Sequence, residues 1–173
     1  MTRANSVTML RIILVPVFLI ILYIGFPGSD WVALAVFILA SLTDLLDGWT
    51  ARHFAEVSNL GKFMDPLADK VLVCAAMCWL IQCGSMSGWI LAVVLFREFA
   101  VSGLRLVAVE RGKVIAAAWS GKVKTACTMV CICLMLVFHI RWLNLLCQAV
   151  IVCTTLYSGV EYFIKNIGVF TDK

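Results

Sequence analysis

The chain has 173 residues and a formal net charge of +4, and 63% of its residues are hydrophobic while only 14% are charged. Its mean hydropathy is +1.02. Soluble domains are typically about 45 to 50% apolar, so this composition excludes an ordinary soluble domain and predicts an integral membrane protein. No low-complexity linker and no acidic or basic block divides the chain. We therefore expect one transmembrane domain over residues 1–173 and no nucleic-acid partner.

Apolar runs separated by short polar or glycine-containing breaks predict six membrane-spanning helices. In chain order they lie near residues 7–26, 31–54, 63–83, 87–110, 115–140 and 142–165. The predicted fold is an all-α membrane protein, a bundle of six transmembrane helices. The eight cysteines all lie inside apolar runs and include no CxxC spacing, which favours packing over disulfides or a zinc site.

The distribution of positive charge gives an orientation for these six spans. Both termini and the second and fourth loops share one side, and thirteen of the fourteen Lys and Arg residues fall there, all except Arg141. The positive-inside rule places that side in the cytoplasm. Trp31, Trp89 and Trp142 then mark helix ends at the opposite interface.

Four aspartates stand where a membrane helix should be apolar. Asp44 and Asp47 are three residues apart in the second predicted helix, and Asp65 and Asp69 are four apart in the third. Each pair therefore projects from one helix face. Carboxylates inside a membrane are expensive and imply a polar cavity, an ion path or a metal. Four of them close together require cations between them, and hard oxygen ligands suit Mg²⁺ or Mn²⁺, with two ions balancing the charge.

The residues around the aspartates extend the pattern to D-x2-D-G-x2-A-R-x8-G-x3-D-x3-D. Besides the aspartates it contains Gly48, Ala51, Arg52 and Gly61. Small residues on the carboxylate face let a bulky ligand approach the backbone, and Arg52 can pair with a phosphate. The pattern matches the signature of the CDP-alcohol phosphatidyltransferases at all eight fixed positions, and the sequence is similar to that family over nearly its whole length.

The resemblance implies roles for the matching residues in a six-helix bundle that binds a CDP-linked donor. Asp44, Asp47 and Asp65 would ligate metal, with Asp69 sharing in it and also acting as the general base toward the acceptor hydroxyl. The remaining motif residues would bind the donor together with an N-x2-T-x2-R pattern in the first helix, which gives the set Asn5, Thr8, Arg11, Gly48, Ala51, Arg52 and Gly61.

A second polar group in the chain bears on the acceptor. It contains four cations, Arg97, Arg105, Lys122 and Lys124, whose density suits an acceptor that carries its own phosphate. Cations at cytoplasmic helix ends also serve topology and contact with anionic lipid. The arrangement F-R-E, S-G-L-R and W-S-G-K-V-K-T resembles the phosphatidylglycerophosphate synthase branch of the family.

The branch resemblance implies CDP-diacylglycerol as donor and glycerol 3-phosphate as acceptor, in a bacterial-type inner membrane with the active site on the cytoplasmic side. It also implies a homodimer in the lipid bilayer. One alternative keeps the donor and changes the acceptor to inositol phosphate or serine. Another alternative is an ion or proton transporter, which would spread its carboxylates across the bilayer, whereas these four lie toward one side.

Overall fold

The computed structural model describes the backbone of residues 3–54, 59–112, 115 and 118–169, and the side chains of residues 9–43, 70–112, 115 and 118–168. These parts of the chain form six α-helices and one short 3₁₀ turn, with no strand among them. The helices are α1 (Arg3–Ile24), α2 (Ser29–Phe54), α3 (Asn59–Gln82), α4 (Gly88–Glu110), α5 (Trp119–Val137) and α6 (Arg141–Lys165), and the 3₁₀ turn is Ile167–Val169. The predicted all-α class and the count of six helices are confirmed for this part of the chain.

The largest difference from the predicted boundaries lies at α5. Hydropathy alone extended this helix over residues 115–140, whereas it runs from Trp119 to Val137. Ile115 and Ala118 are apolar because they pack against a small core made by α4 and α6, and Ala118 does so in an extended conformation with ψ of 146°. Apolar residues can thus be partly buried without being helical, and hydropathy does not separate the two cases.

The six helices have 19 to 26 residues, which corresponds to about 28–39 Å at about 1.5 Å per residue. The hydrocarbon core of a bilayer is about 30 Å thick. Among the described residues, α5 and α6 are each long and apolar enough to cross a membrane. Shorter apolar stretches occupy Met9–Ile24, Ser29–Thr43 and Lys70–Gln82.

The first of two compact units comprises Met1–Leu80. In it α1 packs along α2, with the buried rings of Phe18 and Phe37 5.9 Å apart between centroids. The ring of Tyr23 meets that of Trp79 of α3 edge-on at 5.0 Å. Aromatic pairs at these separations stabilise the fold by more than the burial of their apolar area alone.

The second unit comprises Ile81–Lys173, and in it α6 packs against both α4 and α5. Gln148 of α6 fastens the start of α4. Its side-chain nitrogen donates to the Ser85 carbonyl at 3.1 Å, and its side-chain oxygen accepts from the Ser87 amide at 3.1 Å. One side chain therefore bonds one backbone acceptor and one backbone donor in the segment just before α4.

Many large apolar side chains are exposed on the parts of the helices whose side chains are described. Trp31, Trp89 and Trp142 each lie within the first three residues of their helix and are exposed, as predicted for residues that mark helix ends. Several side-chain hydroxyls donate hydrogen bonds to carbonyls of their own helix. Thr128 donates to the carbonyl of Lys124 at 2.9 Å, and Ser41 donates to that of Phe37 at 2.8 Å. Such internal pairing suits surroundings without water. All eight cysteines are free, as predicted.

Candidate active site

The backbone places the four aspartates on two consecutive helices. Asp44 and Asp47 lie in the second half of α2, and Asp65 and Asp69 lie in the first half of α3. The helical spacings of three and four residues put each pair on one face of its helix, as predicted. Their side chains lie outside the described residues, as do those of six predicted donor-binding residues, Asn5, Thr8, Gly48, Ala51, Arg52 and Gly61.

A divalent metal fits this donor set by its chemistry. Four carboxylates provide hard oxygen ligands, which Mg²⁺ and Mn²⁺ prefer, and the backbone places these residues on two helices. Among the side chains that the structure describes, no group of three or more His, Cys, Asp or Glu residues comes together. The four aspartates of the motif fall outside that set.

Arg11 is the predicted donor-binding residue whose side chain is described. It lies on α1, which packs against α2, and it is buried to 1% exposure. A buried guanidinium is stable only where anionic or strongly polar groups surround it. Its burial therefore indicates a polar, anion-rich environment on the face of α1 to which it belongs.

The second unit joins two of the predicted acceptor cations through a carboxylate. Oε1 of Glu98 accepts from Nη1 of Arg97 at 2.9 Å and from Nζ of Lys124 at 2.9 Å. The side chains of Arg97, Lys124 and Glu98 are 12%, 5% and 20% exposed. Glu98 thus links α4 to α5 in a place largely closed to water, where charges interact more strongly than at a surface.

Helix α6 supplies two hydroxyls to the arginines of α4. Nη2 of Arg97 donates to Oγ of Ser158 at 2.5 Å, and Nε of Arg105 donates to the hydroxyl of Tyr162 at 2.8 Å. The guanidinium carbon of Arg105 also lies 5.4 Å from the centre of the Tyr162 ring. Arg97 and Arg105 are eight residues apart and Ser158 and Tyr162 are four apart, so the two arginines meet one face of α6.

Lys122 is placed differently from the other three cations. It is exposed, and its Nζ lies 5.9 Å from the centre of the Trp119 ring. Residues two apart point to different sides of a helix, so the burial of Lys124 takes Lys122 away from Glu98. The structure therefore brings Arg97 and Lys124 together and does not bring Lys122 to them.

Sequence reasoning left Ser158 and Tyr162 without a role and gave Glu98 only a pairing with Arg97 or a neighbouring Lys, which the structure shows. The signal for Glu98 is an acidic residue within an apolar helix beside an arginine. For Ser158 and Tyr162 the signal is weaker, a pair of polar residues four apart in an apolar helix. Nothing in the sequence pairs them with Arg97 and Arg105, which lie 61 and 57 residues away.

Comparison with known proteins defines the class. The model of the CDP-alcohol phosphatidyltransferase family matches residues 1–157, and this chain belongs to that family.

Individual relatives show which members of the family this chain is similar to. The chain is 40% identical to a Bacillus subtilis protein named CDP-diacylglycerol–glycerol-3-phosphate 3-phosphatidyltransferase, over 94% of this chain and 93% of the relative. It is 36% identical to a probable phosphatidylglycerophosphate synthase of Mycobacterium tuberculosis, over 95% of this chain and 83% of the relative. A Salmonella typhimurium protein with the same name as the Bacillus one is 34% identical over 96% of this chain and 95% of its own length.

Proposed function

We propose that this protein transfers the phosphatidyl group of CDP-diacylglycerol to glycerol 3-phosphate and releases CMP and phosphatidylglycerol phosphate. The names of relatives at 34 to 40% identity over nearly the whole chain support this reaction. The single structural observation that carries it is the buried group of Arg97, Lys124 and Glu98. Two cations and one carboxylate leave a net charge of +1, which suits an acceptor that brings a phosphate.

Residues of α2 and α3 serve the donor half of the reaction. Asp44, Asp47 and Asp65 would hold two divalent ions, Mg²⁺ or Mn²⁺, and Asp69 would share in binding them. Bound metal would offset the charge of the donor's diphosphate and of the departing CMP. Asp69 takes the proton from the acceptor hydroxyl as that oxygen attacks phosphorus. A single displacement of this kind rests mainly on positioning and charge compensation and needs no covalent nucleophile.

The donor is recognised by the remaining residues of the signature and of α1. Gly48, Ala51 and Gly61 lack bulk, so the cytidine diphosphate can lie close to the backbone. Arg52 and Arg11 contribute positive charge near the diphosphate, and Asn5 and Thr8 contribute hydrogen-bonding groups. The burial of Arg11 supports this assignment, because a buried cation of α1 needs an anionic neighbour.

The acceptor half belongs to α4, α5 and α6. Arg97 and Lys124 bind the phosphate of the acceptor. Arg105 of α4 adds a third cation, and the hydroxyl of Tyr162 holds it against the same face of α6 that Arg97 contacts. Lys122 is exposed at the start of α5 and attracts the anionic acceptor from solution rather than binding it within the buried group.

The protein lies in a bacterial-type inner membrane as a six-span bundle with both termini and the active site in the cytoplasm. The excess of Lys and Arg on that side supports this orientation, and the apolar surfaces of α5 and α6 support membrane insertion. A homodimer is the proposed assembly. Cysteine-accessibility labelling at each loop tests the orientation, and the mass of the purified complex tests the dimer.

The decisive experiment supplies purified protein with CDP-diacylglycerol, Mg²⁺ and one acceptor at a time. We expect CMP release with glycerol 3-phosphate. Release only with inositol phosphate or serine would overturn the proposed acceptor, and release with none of them would overturn the reaction.

The proposed base is tested by Asp69→Asn, which keeps the size of the side chain and removes its basicity. The expected loss of turnover is at least about 100-fold, the lower part of the range for general-base catalysis. Asp30→Asn is the matched control, because Asp30 lies in the first turn of α2, far along that helix from the motif. Full activity of the Asp69 variant would show that another group accepts the proton.

A further inference from the structure

The carboxylate of Glu98 occupies a position that neither the family signature nor the predicted cations explain. Arg97 is the tenth residue of α4, about 14 Å from its start and about 20 Å from its end at about 1.5 Å per residue. Arg97 and Glu98 therefore lie well inside α4, away from the ends where cations serve topology. Removing several charges from water is costly, and apolar residues of similar volume often stabilise a fold at least as well. Stability alone is a weak reason for this arrangement.

Arg97 and Lys124 hold the Glu98 carboxylate in the way that two cations hold a bound anion. Both nitrogens bind the same oxygen of Glu98 at 2.9 Å, so they are at most 5.8 Å apart, twice 2.9 Å. Any second acceptor oxygen placed at a similar distance can also bridge them. Arg97 and Lys124 together carry eight N–H donors, five and three. Nε of Arg97 is buried and lacks a hydrogen-bond partner among the residues that the structure describes.

Glycines on two helices leave room for the side chain of Arg97. A methyl group at Gly121 of α5 would lie 3.3 Å from Nη2 of Arg97, and one at Gly159 of α6 would lie 3.3 Å from its Cγ. Carbon contacts of this length are tight, so a side chain at either position would displace Arg97 by a few tenths of an ångström. Ser158 holds the same Nη2 from α6. The side chain of Arg97 is therefore held by a carboxylate, a hydroxyl and two close backbone approaches.

We propose that Glu98 is a positioning residue for the acceptor, which holds Arg97 and Lys124 at the spacing that one phosphate group bridges. Gly121 completes the device by leaving space for the end of the guanidinium. The carboxylate offsets one of the two positive charges, so the cations can stay side by side before the acceptor arrives, and the remaining charge of +1 attracts the phosphate. This inference rests on the proposed function, because it assigns the group to the acceptor of that reaction.

The direction of one effect separates this proposal from a simpler alternative. If Glu98 merely competed with the phosphate for the two cations, its neutralisation would lower the KM for glycerol 3-phosphate. If Glu98 positions the cations, its loss lets them separate, and KM rises. Glu98→Gln keeps the shape of the side chain and removes its charge, so it distinguishes the two.

We expect Glu98→Gln to raise the KM for glycerol 3-phosphate about tenfold or more and to leave the KM for CDP-diacylglycerol within about twofold. KM does not depend on the fraction of enzyme that is folded, whereas apparent kcat does, so partial misfolding does not obscure the result. Glu98→Asp keeps the charge on a shorter side chain and should give an intermediate KM. An unchanged or lower KM for glycerol 3-phosphate in Glu98→Gln would overturn the proposal.

A second pair of variants tests the same device without changing charge. Gly121→Ala places a methyl group against Nη2 of Arg97, whereas Gly103→Ala of α4 meets nothing within 4 Å. Both changes replace a helical glycine by alanine, so the pair cancels the effect of helix propensity. We expect the KM for glycerol 3-phosphate to rise at least threefold in Gly121→Ala and to stay within twofold of wild type in Gly103→Ala.

Equal KM values for the two glycine variants would overturn the role of the fixed guanidinium, even if Glu98→Gln gave no folded protein. Failure of the proposed function is seen separately, in the wild type. A wild-type protein that releases no CMP with glycerol 3-phosphate contradicts the reaction. An active wild type with an unaltered KM in the variants contradicts only the positioning role.

Discussion

Replacement of Arg97 by lysine separates the charge of this residue from its fork of hydrogen-bond donors. The guanidinium donates from Nη1 to Glu98 at 2.9 Å and from Nη2 to Ser158 at 2.5 Å. Lysine keeps the positive charge, but it has a single nitrogen on a flexible stem and cannot reproduce two divergent bonds from a planar group. The change therefore tests geometry at constant charge.

The magnitude follows from the number of bonds lost. At least one of the two is lost in Arg97→Lys, and a hydrogen bond to a charged group contributes about 1.5 to 3 kcal/mol. Since about 1.4 kcal/mol corresponds to a tenfold change, we expect kcat/KM for glycerol 3-phosphate to fall about tenfold to 100-fold. The side chain is only 12% exposed, so water replaces the lost partner poorly and no large discount for solvent is needed.

The assay is CMP release at saturating CDP-diacylglycerol with glycerol 3-phosphate varied. Arg111→Lys is the matched control, because it makes the same exchange at an exposed residue just past the end of α4. We expect it to stay within about twofold of wild type. If Arg97→Lys also stayed within twofold, the planar fork would have no part in acceptor binding, and the reasoning from its two bonds would be refuted.

Two further outcomes are expected. Tyr162→Phe removes the hydroxyl that accepts a hydrogen bond from Arg105 at 2.8 Å but keeps the ring. One net hydrogen bond contributes about 0.5 to 1.5 kcal/mol, so the KM for glycerol 3-phosphate should rise about two- to tenfold. Tyr157→Phe, at an exposed position of α6, should leave this KM unchanged. Equal KM values in the two tyrosine variants would remove Tyr162 from the acceptor site. Chelation of divalent metal should abolish CMP release, and added Mg²⁺ or Mn²⁺ should restore it. Without metal, the negative charges of the carboxylates repel the donor's diphosphate. Activity that survives exhaustive chelation would contradict the metal role of the aspartates.

Most of the helical architecture could be predicted because its causes are local. Apolar runs and their breaks predict six helices, and the predicted ends of α2 and α4 agree with the structure within about two residues. The prediction was less accurate at α5, where Ile115 and Ala118 are apolar in order to pack in a segment outside that helix. Hydropathy records that a residue avoids water, but it does not record the backbone conformation in which the residue does so.

The aspartates illustrate what covalent spacing decides. Asp44 and Asp47 share one face of a helix, and Asp65 and Asp69 share another, since residues three or four apart are neighbours on any α-helix. This holds wherever the helices pack. The signature that assigns the chain to its family is therefore readable without a tertiary structure, and so is the chemistry that four carboxylates can support.

The cations required the tertiary structure. Lys122 and Lys124 are almost equivalent in sequence, yet the rotation of α5 buries Lys124 against Glu98 and leaves Lys122 exposed beside Trp119. Glu98 and Lys124 are 26 residues apart. Contacts over such separations depend on the rotation and packing of whole helices, which local sequence does not specify. The sequence by itself thus determined the helices and the carboxylate pairs, whereas packing alone decided which cations share a carboxylate and can bind one phosphate together.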